Sequence, residues 1–255
     1  MNNKLTRTDL LRLTDTKEIN ETDLPRNLMD IMLNKERRTK FFKEVLEITT
    51  ADGQDLFLDY FQDSLAKREK NKQDFTSKNV AKLMAKILAE KAQSGGVTLL
   101  EPTAGTGGLL IPQWWNNLVT LHPNPLTYSP HMDYYVAVEM DKEAIPFLIA
   151  NLAIRGINAT VIEGDTINQT AVNVYHLINV EDEFLAFSDV NVLQRDQSVL
   201  DMIGFVGYTD EPRDVYSETS TEDVKQWARN VLRNKEAEPF INRLFKKSSV
   251  KTPID

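Results

Sequence analysis

The sequence predicts an α/β protein: a parallel sheet preceded by a helical subdomain. Two observations predict the sheet. Between residues 97 and 165, short apolar runs alternate with helix-period segments, the strand–helix–strand–helix–strand rhythm of a parallel sheet. Within that stretch "TLLEPTAGTGGLLI" (98–111) climbs to an acid and a proline, crosses a turn with three glycines and becomes apolar again. A third observation predicts what precedes the sheet. Residues 1–70 carry apolar residues at spacings of three and four, with charges between them and no strand-like alternation.

Taken in order, "NLMDIMLNKERRTKFFKEVLEITT" and "GQDLFLDYFQDSLAKREK" read as helices of a subdomain spanning 1–71, which closes on the charged linker "KREKNKQD". In the helix that follows, Val80, Leu83, Met84, Ile87 and Leu88 form one apolar face. Thr76 or Ser77 can cap its start, and Gly95-Gly96 stops it. "VTLLE" (97–101) is the first strand. "GLLIPQWWNNLV" begins a helix, which places Pro112 in its first turn or at a kink. A proline-rich loop, "PNPLTYSPHMD", leads to the second strand, "YYVAVEM" (134–140). "DKEAIPFLIANLAIR" is a helix stopped by Gly156, and "ATVIEGD" (159–165) is the third strand. Downstream, "EFLAF", "VNVL" and "LDMIGFVGY" are strand candidates, and "STEDVKQWARNVLRNK" and "PFINRLFKK" are helices. The sheet domain is expected to span 72–210 and a C-terminal helical segment 211–255.

Composition narrows the chemistry. The chain has 255 residues, 41% hydrophobic and 27% charged, enough for one sizeable core. It has no cysteine, so disulfides, thiolate chemistry and Cys-based metal sites are excluded. His122, His131 and His176 lack close metal-ligand spacing, so no metal is expected. The N-terminus has no apolar signal core and no run reaches membrane-spanning length, so the expectation is a cytoplasmic protein away from membranes. Net charge is −8, but residues 180–223 alone sum to −10, with twelve acids against Arg195 and Arg213. A uniformly basic nucleic-acid binder has a different pattern.

Open α/β sheets bind ligands at the carboxyl ends of their strands, where glycines let the backbone approach closely. Gly105, Gly107 and Gly108 stand at such a point. A P-loop needs Lys-Ser/Thr after its glycines, and Leu109-Leu110 stand there instead. The dinucleotide fingerprint needs a further glycine where Leu110 stands. A third pattern fits: Glu101 precedes the turn, and Glu139 and Asp165 end the next two strands. A ligand with a cationic amino-acid end, a ribose diol and an adenine amine would use all three acids. S-adenosylmethionine (SAM) is such a ligand.

The same residues resemble a family. "EPTAGTGGLLI" is similar to the SAM-binding loop of amino-group DNA methyltransferases, and the nearest group is the N6-adenine methylation subunits of type I restriction-modification systems. "VAVEMDKEAIPFLIANLAIRGI" resembles their second element and "TVIEGDTI" their third. "KQDFTSKNVAKLMAKIL" resembles the segment that closes their cofactor pocket. The resemblance covers about residues 72–168 and implies a Rossmann-like, SAM-dependent methyltransferase sheet. It implies these roles: Thr76 contacts the SAM carboxylate end. Glu101 and Pro102, with the backbone of Thr103, Ala104, Gly105, Thr106 and Gly107, cradle the methionine moiety. Glu139 binds the ribose hydroxyls, Met140 packs on adenine, and Asp165 takes its exocyclic amine.

The chain departs from the family at one constellation. Amino methyltransferases end their fourth strand in (Asp/Asn)-Pro-Pro-(Tyr/Phe), which accepts the amine protons and stacks the flipped base. This sequence has no Pro-Pro, and no proline at all from Thr166 through Glu211. "FSDVNVL" offers Asp189 or Asn191 as a degenerate acceptor. The family's sheet has seven strands, and this chain shows three clear ones followed by weaker candidates, so the sheet reads as incomplete. Two functions follow as expectations. One is SAM-dependent adenine-N6 methylation of DNA, with a partner supplying specificity; a lesser variant of it transfers the methyl group to a protein or RNA amine from the same pocket. The other is a catalytically inactive relative whose acidic 180–223 surface binds a protein partner, for example as an inhibitor or nucleic-acid mimic against a nuclease or restriction complex.

Overall fold

A computed structural model describes residues 4–17, 22–64, 79–81, 83–84, 98–122, 124 and 128–224. Four helices come first: α1 (Arg7–Leu13), α2 (Leu24–Met32), α3 (Lys35–Ile48) and α4 (Leu58–Ser64). Local chemistry sets their starts. Thr6 and Asp9 form a reciprocal capping box on α1, and the Asn34 side chain accepts from Arg37 N at the start of α3. Pro25 sits in the first turn of α2, where its missing N–H costs nothing. The expected helix over "GQDLFLDYF" begins only at Leu58, because Asp52 and Asp55 turn their side chains back onto Gln54 N and Phe57 N.

The sheet follows. Strands β1 (Thr98–Glu101), β2 (Tyr134–Glu139) and β3 (Ala159–Asp165) are parallel neighbours in that order. Helix α5 (Leu110–Leu121) connects the first pair and α6 (Ile145–Ala153) the second. Pro112 lies in the first turn of α5, as its ring requires. The chain reverses after α6 at Gly156, with φ of 64°. A Cβ there would lie 2.3 Å from the Ala186 carbonyl oxygen, so only glycine fits.

Beyond β3 the sheet differs from the parallel expectation. A four-residue loop, 166–169, joins β3 directly to β4 (Thr170–Ile178), and so short a link allows only antiparallel pairing. β5 (Asp189–Val192) pairs antiparallel with β4. "EFLAF" is a turn rather than a strand, because the Asn179 amide donates to the Glu183 and Gly156 carbonyls and curls the segment. "LDMIGFVGY" divides. Its first part ends α7 (Gln197–Ile203), capped by Asp196 and terminated by Gly204 in the left-handed region, and its last two residues form β6 (Gly207–Tyr208) beside β4.

One apolar core joins the N-terminal helices to one face of the sheet, from Leu10, Leu28 and Phe42 to Trp114, Phe147, Val161 and Tyr175. Helices α1 to α4 therefore share their core with the sheet. A smaller cluster of Val138, Ile162, Val174 and Met202 covers the opposite face under α7. Val80, Leu83 and Met84 are exposed while Ala81 is buried, so this stretch turns a different face inward from the one expected; Ile87 and Leu88 lie outside the described residues. Among the described residues, no helix is long and apolar enough to cross a membrane, and no cluster of metal-ligating side chains is present.

His176 is buried on β4, and desolvation lowers its pKa from 6.5 to about 4. Between those values the unfolded chain binds a proton that the folded chain refuses, so stability is full above the upper value and falls as pH drops toward the lower one. Denaturation titrations from pH 7 to pH 4 are expected to show this loss, up to ~3 kcal/mol. His176→Gln should flatten that part of the curve.

Candidate cofactor site

The carboxyl ends of β1, β2 and β3 open into a cleft of about 470 Å³, the size of a small-molecule site. The glycine turn forms one wall through Pro102, Thr103, Ala104, Gly105, Thr106, Gly108 and Leu109. Glu139 and Met140 come from the end of β2, and Gly164, Asp165, Thr166 and Ile167 from the end of β3. Leu58 and Phe61 of α4 complete the lining with Ala144.

Backbone bonds hold the turn. Ala104 N donates to the Val138 carbonyl at 2.8 Å, tying it to β2, and Gly107 N closes onto the Ala104 carbonyl at 2.9 Å. Gly105 and Gly107 take φ of 56° and 106°, which L side chains rarely adopt. Gly108 lines the cleft, and a Cβ built on it meets nothing within 4 Å, so the space beside it is free for a ligand.

Glu139 is the hinge of the site. Its Oε2 accepts from Gly105 N and its Oε1 from Asp141 N, both at 2.7 Å. One carboxylate thus fixes the turn after β1 and the loop after β2. Burial pushes its pKa above the ordinary carboxylate value, against the pull of these bonds. Asp165 is held by its own loop: Oδ1 accepts from Ile167 N at 2.8 Å and Asn168 N at 3.0 Å, and Oδ2 from the Asn168 amide at 2.7 Å. The Asn168 bonds hold its pKa below the usual value. The Thr166 hydroxyl donates to the Pro102 carbonyl at 2.6 Å and stitches the third strand end to the first. Met140 is 71% and Ile167 93% exposed, two large apolar side chains at the mouth of the same cleft.

Most residues expected here meet in the cleft. Two of them do not line it. Glu101 folds its carboxylate onto the Thr103 N–H and hydroxyl at 3.4 and 3.5 Å. Gly107 faces Ile111 and Leu148 and serves the packing of the turn on α5 and α6. Thr76 lies outside the described residues. Asp189 and Asn191 are not brought to the cleft, because β4 separates their strand from β3. Asp189 pairs with Lys35 at 2.7 Å and accepts from Thr219. Asn191 accepts from Glu218 N and Thr219 N and donates to the His176 carbonyl. Both are buried and occupied as fasteners of segment 216–219. Leu58, Phe61 and Ile167 were invisible to sequence reasoning, since nothing local marks an apolar residue as lining a cleft.

The acidic 180–223 segment is also less free than its charge suggests. Asp182 binds His131, Asp196 caps α7, Asp201 accepts from Gln197, Asp223 bonds Ser220, and Glu218 is buried against Arg38.

Fold and cleft together define a Rossmann-like α/β domain of the methyltransferase type. The N-6 DNA methylase family model matches residues 52–186, more than half of the chain, and the protein belongs to that family. The match begins just ahead of the segment that brings Asp55 to the Thr106 hydroxyl of the glycine turn and Leu58 and Phe61 to the cleft wall. No curated protein and no solved structure matches the chain.

Proposed function

We propose that the cleft binds SAM and that the chain is the cofactor-binding part of an adenine-N6 DNA methylation system, working with a partner. The observation that carries this is the convergence, in one cleft, of an open glycine turn, two strand-end carboxylates and two exposed apolar side chains. Glu139 would accept from the ribose diol with lone pairs not used by Gly105 and Asp141. Met140 and Ile167 would lose their exposure against the adenine ring, and Asp165, ionised, would accept from its amine. Bound SAM would supply an electrophilic methyl group; these residues would bind and orient it.

A second reading is a SAM pocket without methyl transfer by this chain. The commitment of Asp189 and Asn191 to segment 216–219, away from the cleft, favours it. Exposed acids that would meet a basic protein partner then include Glu181, Glu183, Asp210, Glu211 and Asp214. Calorimetry with SAM separates the readings in order. Wild type is expected to bind and Asp165→Ala to lose most of that affinity; a wild type that does not bind ends both readings. Binding with no label transfer to mixed DNA, neither by the chain alone nor with its partner added, supports the second.

A further inference from the structure

The glycine turn is held from behind by a residue outside the cleft. Thr106 is buried, and its hydroxyl donates to Asp55 Oδ2 at 2.5 Å. Asp55 Oδ1 accepts from the Asn151 amide at 2.7 Å, and that amide also donates to the Thr106 carbonyl at 2.7 Å. Asp55 and Asn151 therefore grip Thr106 by both its side chain and its backbone. Arg155, one turn beyond Asn151 and also buried, donates to the Asp52 carbonyl at 2.9 Å and the Gln54 carbonyl at 2.6 Å. These bonds clamp the loop ahead of α4 onto α6, and α4 carries Leu58 and Phe61 into the cleft wall. Burial of an acid and a cation is costly, and neither would be placed here for packing alone.

We propose that Asp55 is a positioning residue that couples docking of the N-terminal helices to the shape of the glycine turn. It touches no ligand; it acts through Thr106. When Asp55 is in place, Gly105 and Gly107 hold their left-handed conformations and Glu139 meets Gly105 N. When it is lost, the turn loosens although the strands stay intact. The consequence for ligand affinity rests on the SAM reading above; the coupling itself does not.

The test is amide hydrogen exchange on the full chain without ligand. Asp55→Ala and the near-isosteric Thr106→Val are each expected to speed exchange at Gly105 and Gly107 by about tenfold or more, the fold-change of one lost charge-assisted hydrogen bond. Exchange at Val161 in the middle of β3 should stay within about threefold of wild type, as a sub-global opening requires. Asp55→Asn, which keeps an acceptor for Asn151 and offers Thr106 a donor, should restore most of the protection. Unchanged exchange at the turn overturns the proposal. So does an equal rise at Val161, which would mark general destabilisation. Because ligand is absent, this readout judges the coupling whether or not SAM binds. In a chain that binds SAM, Asp55→Ala should also raise its Kd about tenfold, and an unchanged Kd overturns the positioning role.

Discussion

Glu139→Ala is expected to abolish SAM binding at concentrations where wild type saturates, a loss of about 100-fold or more in affinity. The size follows from the two places this carboxylate serves at once. Its Oε2 is the acceptor for Gly105 N, and its Oε1 the acceptor for Asp141 N. Removing a charged acceptor from a half-buried N–H costs about 1–3 kcal/mol for each donor left without one. That cost falls on the two loops that must hold the ligand. The direct contact to the ribose diol goes as well. Glu139→Gln is expected to do less, about tenfold. Its carbonyl satisfies one of the two N–H groups, and its amide opposes the other. Calorimetry with SAM, with a thermal melt of each variant as control, checks the order. Both variants binding as tightly as wild type would remove Glu139 from the site.

The parts of the site that were legible in the sequence are local ones. A glycine turn between an apolar strand and a helix is written in consecutive residues, and so are the carboxylates that end β2 and β3. What the sequence hid depends on residues far apart in the chain. Asp55 reads as one more acid in a helical stretch until Thr106 and Asn151 are seen against it. Glu101 has the right place at a strand end, but its side chain turns onto Thr103, a choice that periodicity does not encode. β4 escaped notice for a related reason. Its run "TAVNVYHLI" carries Asn173 and His176 at buried positions. Those polar residues look like loop chemistry until Glu163 accepts from Asn173 across the strand pair at 2.8 Å and the Tyr134 ring packs against His176. The antiparallel turn after β3 then carries Asp189 and Asn191 away from the cleft, which no spacing in the sequence revealed.

Arg38→Ala is expected to destabilise the fold by about 3–5 kcal/mol, the largest stability effect anticipated for one substitution here. Arg38 and Glu218 are 3% and 6% exposed and meet through two bonds, at 2.8 and 2.6 Å. Arg38 also donates to the Met32 carbonyl at 2.6 Å, and Glu218 accepts from Val190 N at 2.9 Å. The pair therefore fastens α3, the end of α2 and the edge strand β5 to the segment after β6. Truncating Arg38 takes away the directly paired cation and leaves a buried carboxylate with the Val190 N–H and the field of Lys35, which no longer offset the desolvation already incurred. Replacing both partners with apolar residues is a different experiment. Arg38→Met with Glu218→Leu removes both charges and leaves Val190 N and the Met32 carbonyl without these partners, about 1–3 kcal/mol each, the second of which Arg38→Ala incurs as well. The double variant should thus unfold at higher urea than Arg38→Ala, and an additive loss would contradict a coupled buried pair. The comparison also bears on the acidic segment. Glu218 spends its charge inside the fold, so neutralising it should leave binding of a basic partner unchanged while stability falls. Charge reversal at exposed Glu211 and Asp214 should do the opposite, weakening such binding and leaving the urea midpoint in place.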